Sequence, residues 1–260
     1  MISIFHIPIH SLTKKQAAKK FVGFCSEAKQ YYAVTPNAEI LLETENNPQL
    51  KKILQESPLN TADSVSLLWA SMYLEKKWSK LRAIIELIFL PLRKRYWKEF
   101  LPEQVCGSDL IYDICKEAEN QKKSIFLLGG MSDIAKKSSE ILLQKYPALK
   151  ICGAIDGSPF EKDDKETISL IQKMQPDILI VCYGCPLQEL WIQRNLKKCL
   201  SVKAAIGLGG TFDFLSGNIK RAPKIFRALG IEWLWRLMLQ PSRWKRIFRA
   251  VFVFPLKILS

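Results

Sequence analysis

Histidine is scarce: the chain has two, His6 and His10, both near its start. That leaves no convincing Ser-His-Asp set for acyl transfer and no pair of cysteines joined by histidines for a zinc site. Gly-Lys-Ser/Thr occurs nowhere, so a Walker phosphate loop is missing. No Asp-x-Asp pair is present, and the adjacent Asp163-Asp164 reads as the first turn of a helix, so a dedicated Mg²⁺ or Mn²⁺ site has no support. Runs of about 18 apolar residues are also missing, so no spanning helix is expected. The longest candidates, 83–92 with Glu86 inside it and 250–256, are too short. Residues 1–10 do not read as a cleavable signal peptide. The seven cysteines are odd in number and scattered through apolar runs, which marks them as reduced core residues. Cys182-Tyr-Gly-Cys185 has the spacing of a redox pair, but Cys182 falls within an expected strand, and coincidence is the better reading.

Acidic residues are few as well, 25 against 39 Lys and Arg, for a net charge of +14. The excess is concentrated. Residues 219–260 hold ten Lys/Arg and one acid, Glu232, while residues 75–99 hold eight against Glu75, Glu86 and Glu99. These two segments carry the whole net charge, and both are rich in Trp, Phe, Leu and Ile. Basic residues interleaved with large apolar ones on short amphipathic segments fit an anionic membrane surface. Nucleic acid is the rival partner of a basic face. A solvated helix does not account for Ile84, Ile85, Leu87, Ile88, Phe89 and Leu90, so the membrane surface leads and nucleic acid is not expected.

What is there is an α/β pattern. With 260 residues, 48% of them apolar, the chain can bury one sizeable core plus an appendage. Residues 176–217 organise the rest. Two short apolar runs, Ile178–Cys182 and Ala204–Gly207, each lead into glycine, as buried parallel strands do. The amphipathic stretch 186–198 between them completes a strand–helix–strand crossover. Strands over 124–128 and 149–154, with helices ending near Tyr146 and Met174, extend this to a doubly wound, Rossmann-like, mostly parallel central sheet with flanking helices. Residues 2–9 read as a strand, Thr13 as the cap of a helix to about Lys29, and Pro36 as the opening of a helix over 38–44. Asp63, at a strand-to-helix junction, reads as an N-cap. Residues 75–101 form a basic-apolar insert that Pro91 divides into two short helices. Ser132 or Asp133 caps the helix after Gly129-Gly130. The expected division is an α/β unit over 1–218 and a basic helical C-terminal appendage over 219–260.

In such sheets ligands bind outside the carboxyl ends of the strands, where Gly184, Cys185, Gln188, Gly209, Gly210 and Asp213 would gather. Gly129-Gly130 and Gly207-Leu-Gly209-Gly210 each follow a strand and bring backbone amides toward a diphosphate. Neither makes G-x-G-x-x-G, because Phe212 stands where a third glycine is needed. Thr35 and Asn37 read, on their own, as capping residues.

A set of short pieces then points to a family. They are Thr35-Pro-Asn37-Ala-Glu-Ile-Leu, Ala62-Asp63, Gly107-Ser-Asp109-Leu, Phe126-Leu-Leu-Gly-Gly130, Pro176-Asp-Ile-Leu, Gly184-Cys-Pro-Leu-Gln188-Glu-Leu-Trp, Gly207-Leu-Gly-Gly-Thr-Phe-Asp213-Phe, Gly217, Lys220-Arg-Ala-Pro223 and Leu229-Gly-Ile-Glu-Trp233-Leu-Trp-Arg236-Leu, continued by Pro241 and Arg243. Together, in this order, they resemble the WecG/TagA/CpsF glycosyltransferases over nearly the whole chain. The resemblance implies an inverting, metal- and cofactor-independent transfer of an N-acetylmannosamine-like sugar. The donor is a UDP-sugar and the acceptor a polyprenyl-diphosphate-linked N-acetylglucosamine, in cell-surface polysaccharide synthesis. The implied place is the cytoplasmic face of the inner membrane, with the appendage packing over the site. By position, Asp63 matches the proposed catalytic base, with Thr35 and Asn37 lining the same pocket. Gln188 and Asp213 match nucleotide-sugar contacts, and Arg236, Arg243 and Arg246 fall where the appendage arginines act on diphosphates.

Three positions depart from that pattern: Ser64 where glycine is usual, Gln104 where arginine is usual, and Ser158-Pro159-Phe160 where an aromatic follows Asp156-Gly157 directly. The long 75–101 insert is a fourth difference. A non-catalytic peripheral membrane or nucleic-acid-binding protein on the same fold is the alternative from another class. A dinucleotide oxidoreductase lacks the third glycine and an evident acidic ribose partner.

Overall fold

The computed structural model describes residues 1–89, 92 and 96–260; the division of the insert at Pro91 lies outside the described residues. Six parallel strands form the central sheet, in the order β4 (Leu59–Asn60), β3 (Tyr31–Val34), β8 (Ala204–Gly207), β7 (Ile178–Cys182), β5 (Ser124–Gly129) and β6 (Lys150–Ile155). Successive side chains go to opposite faces. Ile125 and Leu127, Ile178 and Ile180, and Ile206 enter one core layer, while Phe126 and Leu128, Leu179 and Val181, and Ala205 enter the other. Because both faces are covered, the strands read as unbroken apolar runs.

Helices α1 (Lys14–Gly23), α6 (Gly107–Asn120) and α7 (Ile134–Lys145) cover the first face through Phe21, Ile111, Ile114 and Leu142. Helices α8 (Asp164–Met174) and α9 (Leu187–Asn195) cover the second through Ile171, Trp191 and Ile192. A third cluster lies toward the β4 edge and holds α2 (Ala38–Glu43), α3 (Pro48–Glu56), α4 (Val65–Lys76) and α5 (Lys80–Ile88) around Leu41, Leu54, Trp69 and Ala83. After α10 (Thr211–Leu215) the tail runs through α11 (Lys224–Leu229), α12 (Glu232–Leu239), α13 (Trp244–Phe248) and α14 (Phe254–Leu259). Phe254 and Ile258 of α14 are buried in that third cluster beside Ile4 and Trp69, which anchors the tail across the strand ends.

Several local expectations change. Residues 2–9 are an antiparallel hairpin, β1 (Ile2–Ile4) and β2 (Ile7–Ile9), with Ile2 opposite Ile9. Phe5 and His6 form its turn with positive φ of 52° and 63°. That is the hand a two-residue hairpin turn favours, but neither residue is the Gly or Asn that announces it. The His10 and Asn60 backbones hydrogen-bond at 2.9 Å, so the hairpin strand covers the outer edge of β4. Helix α1 has the Thr13 cap, in a capping box with Gln16, but stops at Gly23 instead of Lys29. Phe24–Ser26 tighten into a 3₁₀ turn so that Phe24 stacks on Tyr31 at the start of β3. Asn37 caps α2 as read, its Oδ1 accepting from the Ile40 N–H at 3.0 Å, but Pro36 lies before the helix and Thr35 is no cap, its hydroxyl donating to the Gly207 carbonyl at 3.3 Å. Neither Ser132 nor Asp133 caps α7 through its side chain; both have positive φ, and the Asp133 N–H donates to Asp156 instead.

Gly129 ends β5 with φ of +121°, and a Cβ there would stand 2.7 Å from the Cys182 backbone. Gly129→Ala should therefore lower stability by roughly 2–4 kcal/mol, from backbone strain plus the clash. Urea unfolding followed by circular dichroism measures it.

Candidate active site

The carboxyl ends of β4, β3, β8 and β7 open into one cavity of about 340 Å³. Its floor is built from Thr35 and Asn37 after β3, Asp63 after β4, Gly184 and Gln188 after β7, and Gly209 and Gly210 after β8. Gln104, Cys106, Gly107 and Ser108 form one wall. The tail supplies the roof, from Glu232 through Arg236, Arg243 and Arg246 to Val251.

Asp63 is not a helix cap. Ser64 holds the N-cap position of α4, and no side chain caps that helix. The Asp63 N–H donates to the Pro36 carbonyl at 2.9 Å, and the Val105 N–H donates to the Ala62 carbonyl at 2.7 Å. Pinned on both sides, the Asp63 carboxyl turns to the start of α6, where the Cys106 S–H and the Gly107 N–H donate to it. Protein atoms enclose the carboxyl, while the residue keeps a partly open side on the cavity. Burial pushes its pKa up to about 7. Glu232 adds to the rise, and the two donors and the Arg221 guanidinium hold it back. Gln104, standing where the resemblance expects arginine, donates its amide to the Cys106 sulfur at 3.1 Å. The Asp63 carboxyl is thus reached by a chain of neutral donors, not by a cation at position 104.

Above it the charge is reversed. Burial and mutual repulsion among Arg236, Arg243 and Arg246 lower the pKa of Arg236 to about 10, and that of Arg243 falls for the same reasons. Arg246 pairs with Glu39 and Arg236 lies over the Phe214 ring at 4.9 Å, while Asp213, Asp63 and Glu39 offset only part of the repulsion on Arg236 and Arg243. Guanidinium groups crowded in this way over a cavity favour a multiply charged anion, whose oxygens they meet in pairs.

Of the residues singled out from the sequence, Thr35, Asn37, Asp63, Gln188, Gly209, Gly210, Arg236, Arg243 and Arg246 line this one cavity. Asp213 stands at its edge; a Cβ on Gly210 would lie 3.4 Å from both Asp213 Oδ2 and Arg236 Nη2. Gln188 is almost fully buried. Its Oε1 accepts from the Gly184 and Gly209 N–H groups at 3.2 and 2.9 Å, and its Nε2 donates to Glu189 at 2.7 Å. It braces the two glycine turns from beneath the cavity. Asn37 both caps α2 and faces the cavity.

Gly129 and Gly130 do not line the cavity. Their strand, β5, lies beyond β7 from β8, and the space around them is taken by Cys182 and Ile134. Close packing accounts for both glycines, and this cavity gives the diphosphate expectation for that turn no support.

Sequence reasoning passed over Cys106, Arg221 and Glu232. Arg221 makes a two-pronged ion pair with Asp109, both contacts at 2.9 Å, and lies 3.7 Å from Glu232. Burial alone would lower its pKa, but those carboxylates hold it above the usual arginine range. Its signal was the Lys220-Arg-Ala-Pro223 piece, which named no partner. Among the described residues no three His, Cys, Asp or Glu side chains converge as metal ligands, and no helix is long and apolar enough to cross a membrane.

A raised carboxyl facing clustered arginines at the strand ends of a parallel sheet defines an α/β enzyme acting on an anionic substrate. Comparison with known proteins makes this specific. The model of the glycosyl transferase WecG/TagA/CpsF family matches residues 2–93 and 88–260. A Bacillus spizizenii protein named N-acetylglucosaminyldiphosphoundecaprenol N-acetyl-beta-D-mannosaminyltransferase is 30% identical over 224 residues, 86% of this chain and 77% of that protein. A Bacillus subtilis protein of the same name is 37% identical over 147 residues, 56% of each chain. The chain belongs to the glycosyl transferase WecG/TagA/CpsF family.

The raised carboxyl has a stability consequence. Below about pH 4 Asp63 is protonated in folded and unfolded chains alike and contributes nothing. From there to about 7 the unfolded chain loses a proton that the folded one keeps, so stability falls. Asp63→Asn should match the wild type near pH 4 and exceed it by roughly 1–3 kcal/mol at pH 8, measured by urea unfolding at both pH values.

Proposed function

We propose that this chain transfers an N-acetylmannosamine-like sugar, with inversion and without a metal, from UDP to a polyprenyl-diphosphate-linked N-acetylglucosamine. The observation that carries the reading is the Asp63 carboxyl, pKa about 7, beneath Arg236, Arg243 and Arg246 in one cavity. The names of the two Bacillus relatives support the donor sugar and the acceptor. Inversion in one step needs a base on the acceptor hydroxyl as its oxygen attacks the anomeric carbon, and a carboxylate half-ionised near neutrality is well matched to it. Asp63 takes that proton. The bond from the anomeric carbon to the UDP oxygen breaks, and the arginines meet the charge that develops on the diphosphate. Gln188, Asp213 and the Gly209-Gly210 turn hold the donor, with Thr35 and Asn37 beside the reacting centre.

The tail 219–260 is the membrane-associating appendage of this reading, and the enzyme works as a peripheral protein at the cytoplasmic face of the inner membrane. Trp244, Phe248, Phe252 and Leu256 are exposed beside Lys245, Arg246 and Lys257, as interfacial helices require. Anionic lipid, not nucleic acid, is its partner.

A panel of UDP-sugars offered with a short-chain polyprenyl-diphosphate-N-acetylglucosamine tests the reading; no product from any donor overturns it. Asp63→Asn should keep UDP-sugar binding and lower kcat by about 10²–10⁴-fold. In the wild type kcat/KM should rise as pH passes through about 7. Cys106→Ala, which removes a donor to the carboxylate, should move that limb to higher pH. Arg243→Ala should lower kcat/KM by about 10–100-fold, read in steady-state kinetics.

A further inference from the structure

Helix α5 turns its apolar side outward. Leu81, Ile84, Ile85 and Ile88 follow the i, i+3, i+4, i+7 spacing of one stripe, and all four are exposed, Leu81 by 70% and Ile88 by 68%. The side against the protein holds Ala83 and the acid Glu86, whose carboxylate accepts from Trp97 Nε1 at 3.2 Å. Trp69 Nε1 donates to the Ala83 carbonyl at 3.0 Å. A helix facing water has these sides the other way round. Phe89 and Leu92 continue the exposed apolar surface.

We infer that α5 is a second membrane-docking element, whose stripe lies in the interface of an anionic bilayer. Lys77, Lys80 and Arg82 are exposed around it, and residues 75–99 carry eight Lys/Arg against three acids. A second copy would bring the same positive charge to the contact, whereas anionic headgroups complement it. The stripe is also attached to the same core as the tail. Ala83 of α5 and Phe254 of α14 belong to one cluster with Trp69 of α4, and α4 packs against both helices. At nine residues α5 is far too short to span and can only lie flat. The inference rests on the proposed function only in placing a bilayer beside the site; docking itself needs no turnover.

The test is sedimentation with vesicles of phosphatidylglycerol and phosphatidylcholine, with phosphatidylcholine alone as control. A variant combining Leu81→Ser, Ile84→Ser, Ile85→Ser and Ile88→Ser should partition about tenfold or more weakly than wild type, while turnover of a short-chain acceptor in vesicle-free solution stays unchanged. In the wild-type chain, hydrogen exchange over residues 80–88 should slow when the anionic vesicles are added, a readout that does not depend on the variant folding. Unchanged partitioning with no added protection overturns the proposal. So does a lipid-free dimer that the variant converts to monomer while vesicle binding persists, since the occupant is then a second copy. Stripe-dependent vesicle binding by a chain that turns over no UDP-sugar would sink the transferase reading and leave this one standing; turnover with stripe-independent binding does the reverse.

Discussion

A carboxyl group placed where ionisation is costly sets the terms for the rest of the molecule. Asp63, on the loop after β4, sits where the loop after β3 meets the start of α6: the Pro36 carbonyl fixes its backbone, while Cys106 and Gly107 donate to its side chain. Desolvation alone would keep the acid neutral, while strong cationic pairing would hold it fully ionised. Two donors that are not themselves charged, with Arg221 held back by Asp109 and Glu232, leave it between those limits.

The roof works by the opposite imbalance. Arg243 and Arg246 act on Arg236, and Arg246 on Arg243, as like charges that an anion placed between them would offset. Nothing in the 219–260 sequence could hold such a cluster in place alone. It is held because Phe254 and Ile258 are buried beside Trp69, and because Arg246, Arg249 and Lys257 pair with Glu39, Glu43 and Glu45 along α2 and the turn after it. The helix that begins at the Asn37 cap therefore joins floor to roof.

The strands were readable because both faces of the sheet are covered, which writes each one as an apolar run. The hairpin at 2–9 was not, because its turn uses Phe5 and His6 at positive φ, where local rules look for Gly or Asn. Asp63 shows the same limit at the site. A lone Asp before a helix is ordinarily its cap, and only the family pattern raised another role. Arg221 and Cys106 stayed hidden because their partners, Asp109 and Asp63, lie 112 and 43 residues away in the chain.

What the sequence determined by itself was the set of elements and the concentration of charge, since apolar periodicity and net charge are properties of neighbours along the chain. Strand order was left to tertiary structure, and it separated two glycine turns that look alike. Gly209-Gly210, after β8, opens on the cavity, while Gly129-Gly130, after β5 beyond β7, is filled by Cys182 and Ile134. The protonation balance of Asp63 was likewise decided only by packing, because desolvation depends on atoms brought together from distant parts of the chain.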